Sequence, residues 1–180
     1  MKKIYFVRHG QTVWNVENKI CGATDSPLTE LGIAQAKETG EAILRMNIKA
    51  DMILTSPLSR AHDTAIQISN ETGIPLRVER RLMEQNFGKY ESTPRDGEEF
   101  RLQKENFVYD YDGGESMMRV GQRIYNLLDD LAKDDKIYIL VAHNGIARVI
   151  RSYFQNMSNE EYAAYGVKNC EVVEYEFKSV

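Results

Sequence analysis

Ile4-Tyr5-Phe6-Val7-Arg8-His9-Gly10-Gln11-Thr12 runs from four apolar residues straight into a basic pair and a glycine. The apolar part is too short for a helix and is rich in aromatic and β-branched residues. It is apolar at odd and even positions alike, so it reads as a strand covered on both faces, the pattern of a parallel sheet. Met52-Ile53-Leu54 and Ile137-Tyr138-Ile139-Leu140-Val141 repeat that pattern further along the chain.

Helical periodicity fills the intervals. Leu31, Ala34, Ile43 and Leu44 suggest one face of a helix capped near Thr29. Ala61, Ala65, Ile66 and Ile68 mark a second, ending at Gly73 with Pro75 beyond. Met117, Val120, Ile124, Leu127, Leu128 and Leu131 mark a third, entered through Gly113-Gly114-Glu115-Ser116, and Ile146, Val149, Ile150 and Phe154 a fourth. Ser158-Asn159-Glu160-Glu161 has the form of a capping box for a short fifth. Cys170 to Phe177 alternates apolar residues with glutamates and reads as an edge strand. Strands alternating with helices imply a three-layer α/β/α fold around a mostly parallel sheet. With no repeat and no long linker, residues 1–180 read as one domain. The charged but aromatic stretch at about 92–112, with Phe100, Phe107, Tyr109 and Tyr111, reads as a helical excursion and a candidate lid.

The composition is that of an ordinary soluble protein, with 42% hydrophobic and 28% charged residues among 180. A formal net charge of −4 gives no counterion-release gain on nucleic acid and no basic face for a membrane surface. Neither partner is expected. No segment approaches the length of an apolar membrane span, and the apolar run at the amino terminus is too short for a signal peptide. Cys21 and Cys170 are the only thiols, too few for a disulfide framework, so a cytoplasmic location is expected. No feature specifies an oligomeric state.

Ligands of open α/β sheets sit at the carboxyl ends of the strands. After the three apolar runs come Arg8-His9-Gly10, then Thr55-Ser56-Pro57-Leu58-Ser59-Arg60, then Ala142-His143-Asn144-Gly145. Two histidines and two arginines therefore follow strand ends, while His62 falls within a helix. Guanidinium forks match phosphate oxygens, and helices that begin after these loops should aim free N–H groups at the same place. A histidine beside cations should stay neutral, and a neutral imidazole is a competent nucleophile toward phosphorus. Arginine donors would hold the charge for which a kinase uses magnesium, so no metal or organic cofactor is expected. A zinc site on His9, His143 and Cys21 is the competing reading of these residues; Arg8 beside His9 argues against it, as does the lack of any His-x-x-x-His or Cys-x-x-Cys spacing.

Arg8-His9-Gly10-Gln11-Thr12-x-x-Asn15 resembles the first signature of the histidine phosphatase superfamily, which includes the cofactor-dependent phosphoglycerate mutases. Gly22-x-x-Asp25-x-Pro27-Leu28-Thr29-x-x-Gly32, Ser56-Pro57-Leu58-x-Arg60-Ala61, Gly113-Gly114-Glu115-Ser116 and Val141-Ala142-His143-Asn144-Gly145 resemble its later blocks in order. The family often has serine before the second histidine and glycine after it, where this chain has Ala142 and Asn144.

The resemblance implies that His9 is the phosphorylated nucleophile. It implies that Arg8, Arg60 and His143 bind the phosphoryl oxygens with help from Asn15, that the Cys21-Gly22 loop closes on the substrate with Asn144 beside it, and that Glu84 is the proton donor. Composition and spacing alone do not separate Glu84 from Glu79, Glu91 or Glu115. The expected activity is hydrolysis of small phosphomonoesters. A phosphoglycerate mutase is the alternative, and a catalytically silent phospholigand-binding domain a second one. After Glu84 the mutases usually continue with an Arg-His-Tyr-Gly-like stretch, where this chain has Gln85-Asn86-Phe87-Gly88. Beyond Arg8 and Arg60, that region offers only Lys89 and Arg95. The site is therefore expected to be sparing in cations and to hold a single phosphate.

Overall fold

The computed structural model describes residues 2–177. In chain order the elements are β1 (Lys3–Arg8), α1 (Val13–Val16), α2 (Glu30–Arg45), β2 (Met52–Thr55), α3 (Ser59–Thr72), β3 (Leu76–Val78), α4 (Glu98–Gln103), α5 (Met117–Lys133), β4 (Tyr138–Ala142), α6 (Asn144–Phe154), α7 (Asn159–Ala164) and β5 (Val172–Glu176). The five strands form one sheet in the order β3-β2-β4-β1-β5. All pairs are parallel except β1 with the edge strand β5.

The three apolar runs are the three central strands. Their side chains alternate between two cores, as a period of two requires. Ile4, Phe6, Leu54 and Leu140 face a core shared with α5 and α6, including Ile124, Leu127 and Ile146. Tyr5, Val7, Ile53, Ile139 and Val141 face the other core, shared with α2 and α3. Helix ends follow the local signals. Thr29 caps α2, Ser116 caps α5, and Ser158 forms a capping box with Glu161 at α7. Gly73 ends α3 in the left-handed conformation at φ 73°, which glycine adopts without steric cost.

Two features differ from the sequence pattern. β3 carries two exposed residues out of three, so no apolar alternation marks it. Helix α2 presents Gly32, Ala36, Thr39, Gly40 and Ile43 to the protein, while Leu31, Ala34 and Leu44 point outward. The cause is close approach. A Cβ on Gly40 would lie 2.6 Å from Cβ of Glu71 and 3.3 Å from Cα of Ile68, so only small residues let α2 rest on α3.

The stretch at 92–112 contains α4 and a small core of its own. Tyr90, Phe100 and Tyr111 bury their rings with Ile20, and Phe87 packs edge-on against Phe100 at 5.3 Å.

This orientation of α2 is testable by urea unfolding. Ile43→Ala should cost about 2–5 kcal/mol, the usual range for a buried aliphatic truncation. Leu31→Gln and Leu44→Gln, at residues 53% and 54% exposed, should each change stability by no more than about 0.5 kcal/mol. Large losses for the two leucines would place the apolar stripe inside after all.

Candidate active site

The β1–β4 register sets Arg8 opposite Ala142, so the next residues, His9 and His143, emerge side by side. The His9 amide donates to the Ala142 carbonyl at 3.0 Å. The two rings lie 5.3 Å apart, and both histidines are buried. His9 Nδ1 is 2.7 Å from the Gly10 carbonyl oxygen. A carbonyl only accepts, so Nδ1 carries the proton and Nε2 keeps the lone pair. His143 Nε2 lies 2.8 Å from Ser56 Oγ, just past β2.

Both imidazoles are held well below the ordinary histidine pKa. For each, burial is the larger cause, and the charge of Arg60 comes next. Neighbouring cations, the cause expected from sequence, are thus secondary. His62 lies half-buried on α3, away from the pocket described below.

Arg8, at the end of β1, donates from Nη1 to Val167 O at 2.7 Å. Arg60, in the first turn of α3, is almost fully buried. Among the described residues, three buried nitrogens at this place have no hydrogen-bond partner: Arg8 Nε, Arg60 Nε and His143 Nδ1. Buried donors are nearly always satisfied. These three nitrogens are therefore open to a hydrogen-bonding ligand.

The amino ends of the helices are not free, contrary to the sequence expectation. Ser59 N–H donates to Asp25, and Gly145 N–H donates to Glu84 Oε2 at 2.9 Å. Carboxylates already occupy the positive ends of those dipoles.

Arg60 also departs from a purely phosphate-facing role. Its Nη1 donates to Thr24 O at 2.9 Å and pairs with Asp25, and its Nη2 donates to Gly22 O at 2.7 Å and Cys21 O at 3.3 Å. The same loop is gripped from its other side by Glu91. That carboxylate accepts from the backbone N–H groups of Gly22, Ala23, Thr24 and Phe87. A Cβ on Gly22 would collide with the backbone carbonyl oxygen of Gln85 and the Glu91 carboxylate, which explains the glycine. The Cys21 thiol is pushed up to about 11 by burial, so it stays protonated.

Asn15 is oriented from two sides. Its Oδ1 accepts from Thr12 N–H at 3.1 Å, and from Asn169 Nδ2 at 3.3 Å. Asn169 Nδ2 also donates to the His9 carbonyl at 2.8 Å. Asn144 Oδ1 accepts from Val167 N–H at 2.9 Å and holds the segment that Arg8 also contacts. Asn169 and Glu91 escape sequence reading because each acts on backbone far away in the chain.

Of the four candidate carboxylates, Glu79 pairs with Arg81, Glu115 with Arg123, and Glu91 serves the loop. Glu84 alone among them lines the pocket that holds His9, a space of about 130 Å³. Arg8, Arg95, Lys104 and Arg148 line it too. None of these four forms an ion pair among the described residues. The expectation of a cation-poor site is therefore wrong. Lys89 is drawn away to Glu99 and Asp112, but the fold brings in Arg148 from α6 and Lys104 from beyond α4. Burial lowers the Lys104 ammonium to about 8 and the Arg8 guanidinium to about 10. Both remain largely cationic at neutral pH.

No cluster of three or more His, Cys, Asp or Glu with metal-site geometry occurs among the described residues, and none of the described helices is long and apolar enough to cross a membrane.

The pattern of the histidine phosphatase superfamily (branch 1) matches residues 4–179. The probable phosphoglycerate mutase GpmB of Yersinia pestis is 37% identical over 136 residues, which is 72% of this chain and 62% of that protein. The chain thus spans about three-fifths of the length of the curated relatives it matches. A mycobacterial glucosyl-3-phosphoglycerate phosphatase in complex with VO3 superposes with a TM-score of 0.84 at 27% identity, over 97% of this chain and 90% of that one. A Thermus thermophilus protein, TTHB049, superposes at 0.78 with 26% identity, over 97% and 94%.

The buried neutral histidines make stability depend on pH. In the unfolded chain each titrates near 6.5, whereas in the folded chain its pKa is lower. As pH falls below about 6.5, the unfolded state binds protons that the native state refuses, and stability is lost. Replacing His9 with Asn should flatten the fall in unfolding free energy between about pH 6 and 5 by about 1 kcal/mol per pH unit. The measurement is urea unfolding of both proteins at closely spaced pH values. Parallel slopes would mean that His9 is protonated in the folded protein.

Proposed function

Because the chain belongs to the histidine phosphatase superfamily, we propose that it hydrolyses small-molecule phosphomonoesters through a phosphohistidine on His9. The observation that carries this reading is the set of Arg8 Nε, Arg60 Nε and His143 Nδ1, three unpartnered buried nitrogens beside a neutral imidazole. His9 Nε2 attacks phosphorus while the bond to the alcohol oxygen breaks. The arginines and His143 hold the equatorial oxygens, with Asn15 and Asn144 beside them, and the Cys21-Gly22 loop covers the site. Glu84 in its acid form protonates the departing alkoxide. Its carboxylate then takes a proton from water, which attacks phosphorus, and the P–N bond breaks to release phosphate.

The same reading takes residues 1–180 as one catalytic domain, with 92–112 as its cover. It places the chain in the cytoplasm, since Cys21 and Cys170 are both unpaired.

A mutase is the second reading. Arg95, Lys104 and Arg148 beside Arg8 could hold a second anionic group, and a relative named as a probable phosphoglycerate mutase is 37% identical. Against it stand Gln85-Asn86-Phe87 where mutases usually carry Arg-His-Tyr, and the likeness to a phosphatase over 97% of the chain.

Three experiments test the proposal. His9→Ala should abolish turnover, and wild type mixed briefly with labelled substrate should carry acid-labile, alkali-stable phosphate. Glu84→Gln should slow alkyl phosphates by about 10²–10⁴-fold while sparing aryl phosphates with good leaving groups. Undiminished turnover in His9→Ala would falsify the mechanism, and equal losses on both ester types would remove Glu84 from the proton-donor role. The third experiment gives the enzyme 3-phosphoglycerate with 2,3-bisphosphoglycerate and compares an enolase-coupled signal with phosphate release. The expected result is no appreciable isomerisation, with faster phosphate release from some other monoester. Bisphosphate-stimulated isomerisation outrunning all phosphate release would put the mutase first.

A further inference from the structure

The pocket around His9 is small, about 130 Å³, and adjoins a second space of about 450 Å³. The two share Phe87, Lys104, Gly145 and Arg148 in their walls. Gly145 stands at the junction without a side chain, and a Cβ there would collide with the Glu84 carboxylate. The apolar part of the larger chamber's wall is Phe87, Phe107, Tyr111, Met117 and Tyr162, and Arg101, Glu105 and Glu160 stand on its charged side. Four of the five apolar residues are rings, and the fifth is a thioether, which packs well against rings. Phe107 and Tyr162 meet edge-on at 6.1 Å, and the Tyr162 hydroxyl donates to Met117 Sδ. Apart from Tyr111, these side chains are only half-buried, so their faces remain available to a ligand.

Resting on the phosphohistidine reading, we propose that this chamber receives the alcohol half of the substrate, and that this half carries a flat, aromatic body. The phosphoryl group fills the smaller pocket. The ester oxygen lies at the Gly145 junction within reach of Glu84, and the body continues past it against the open faces of Phe107 and Tyr162. A three-carbon acid would leave most of 450 Å³ empty of ligand, and open aromatic faces gain from burying apolar area. Arg148 and Lys104 stand in the wall common to both spaces, where they favour a body with a negative or strongly accepting group next to the ester.

The test compares 2-(1-naphthyl)ethyl phosphate with ethyl phosphate. Both release a primary alkoxide, so the chemical step is matched and only the body differs. In wild type kcat/KM should favour the naphthyl ester by about tenfold or more, a factor equal to ~1.4 kcal/mol. Phe107→Ala and Tyr162→Ala should each pull that ratio toward one. The ratio within one preparation does not depend on how much of the protein is folded. A wild-type ratio near one overturns the chamber assignment, and so does a high ratio that neither variant lowers. If neither ester is turned over and His9 acquires no label, the phosphohistidine reading falls. Calorimetric affinities for the same two esters then decide the chamber by themselves: tighter naphthyl binding that weakens in both variants supports it, and equal affinities overturn it.

Discussion

The parallel pairing of β1 with β4 is the constraint on which the site depends. Arg8 lies across from Ala142 in that register, and one residue later the two chains release His9 and His143 into the same space. A slip by one residue would turn one histidine to the opposite face of the sheet. Burial of both strands on both faces prevents the slip, because it would also exchange that strand's residues between the cores, Phe6 with Tyr5 on β1 or Leu140 with Ile139 on β4. The placement of the two histidines and hydrophobic packing are thus enforced by the same pairing.

The site built on that register concentrates like charge. Arg8, Arg95, Lys104 and Arg148 share one pocket, and each of Arg8, Arg95 and Lys104 has its proton affinity lowered, first by burial and then in part by one or more of the others. Bringing unpaired cations together out of water is unfavourable. The folded protein tolerates it because the rest of the domain supplies the stability. An anionic ligand recovers that energy on binding, and a preorganised donor set needs no rearrangement when charge develops on a transferring group. The overall net charge of −4 conceals this local field entirely.

Arg60 links the pocket to the loop above it. One nitrogen has no partner, while the others hold carbonyls of residues 21, 22 and 24. Glu91 holds the N–H groups of the same loop. The backbone there is neither helix nor strand, so its polar groups need side-chain partners. An arginine for the carbonyls and a glutamate for the amides meet that need, and the loop is thereby shaped by a residue that keeps one buried nitrogen unpartnered.

The layered α/β architecture, the three central strands, most helix caps, and the places where His9, His143, Arg8 and Arg60 stand were all legible in the order of residues. They follow from short-range physics: strand burial has a period of two, capping chemistry acts within four residues, and ligands gather where strands end. The buried face of α2 was not legible, because small residues rather than large ones make it, and smallness signals contact only once the partner helix is in place. Glu84 could be set apart from Glu79, Glu91 and Glu115 only by a likeness to other proteins, until tertiary contacts gave each of the other three a different partner. Lys104, Arg148, Asn169 and the aromatic chamber took their places only when the chain closed on itself. Their neighbours in space are far away in sequence, and no local periodicity records which distant side chains the closing of the sheet will bring together.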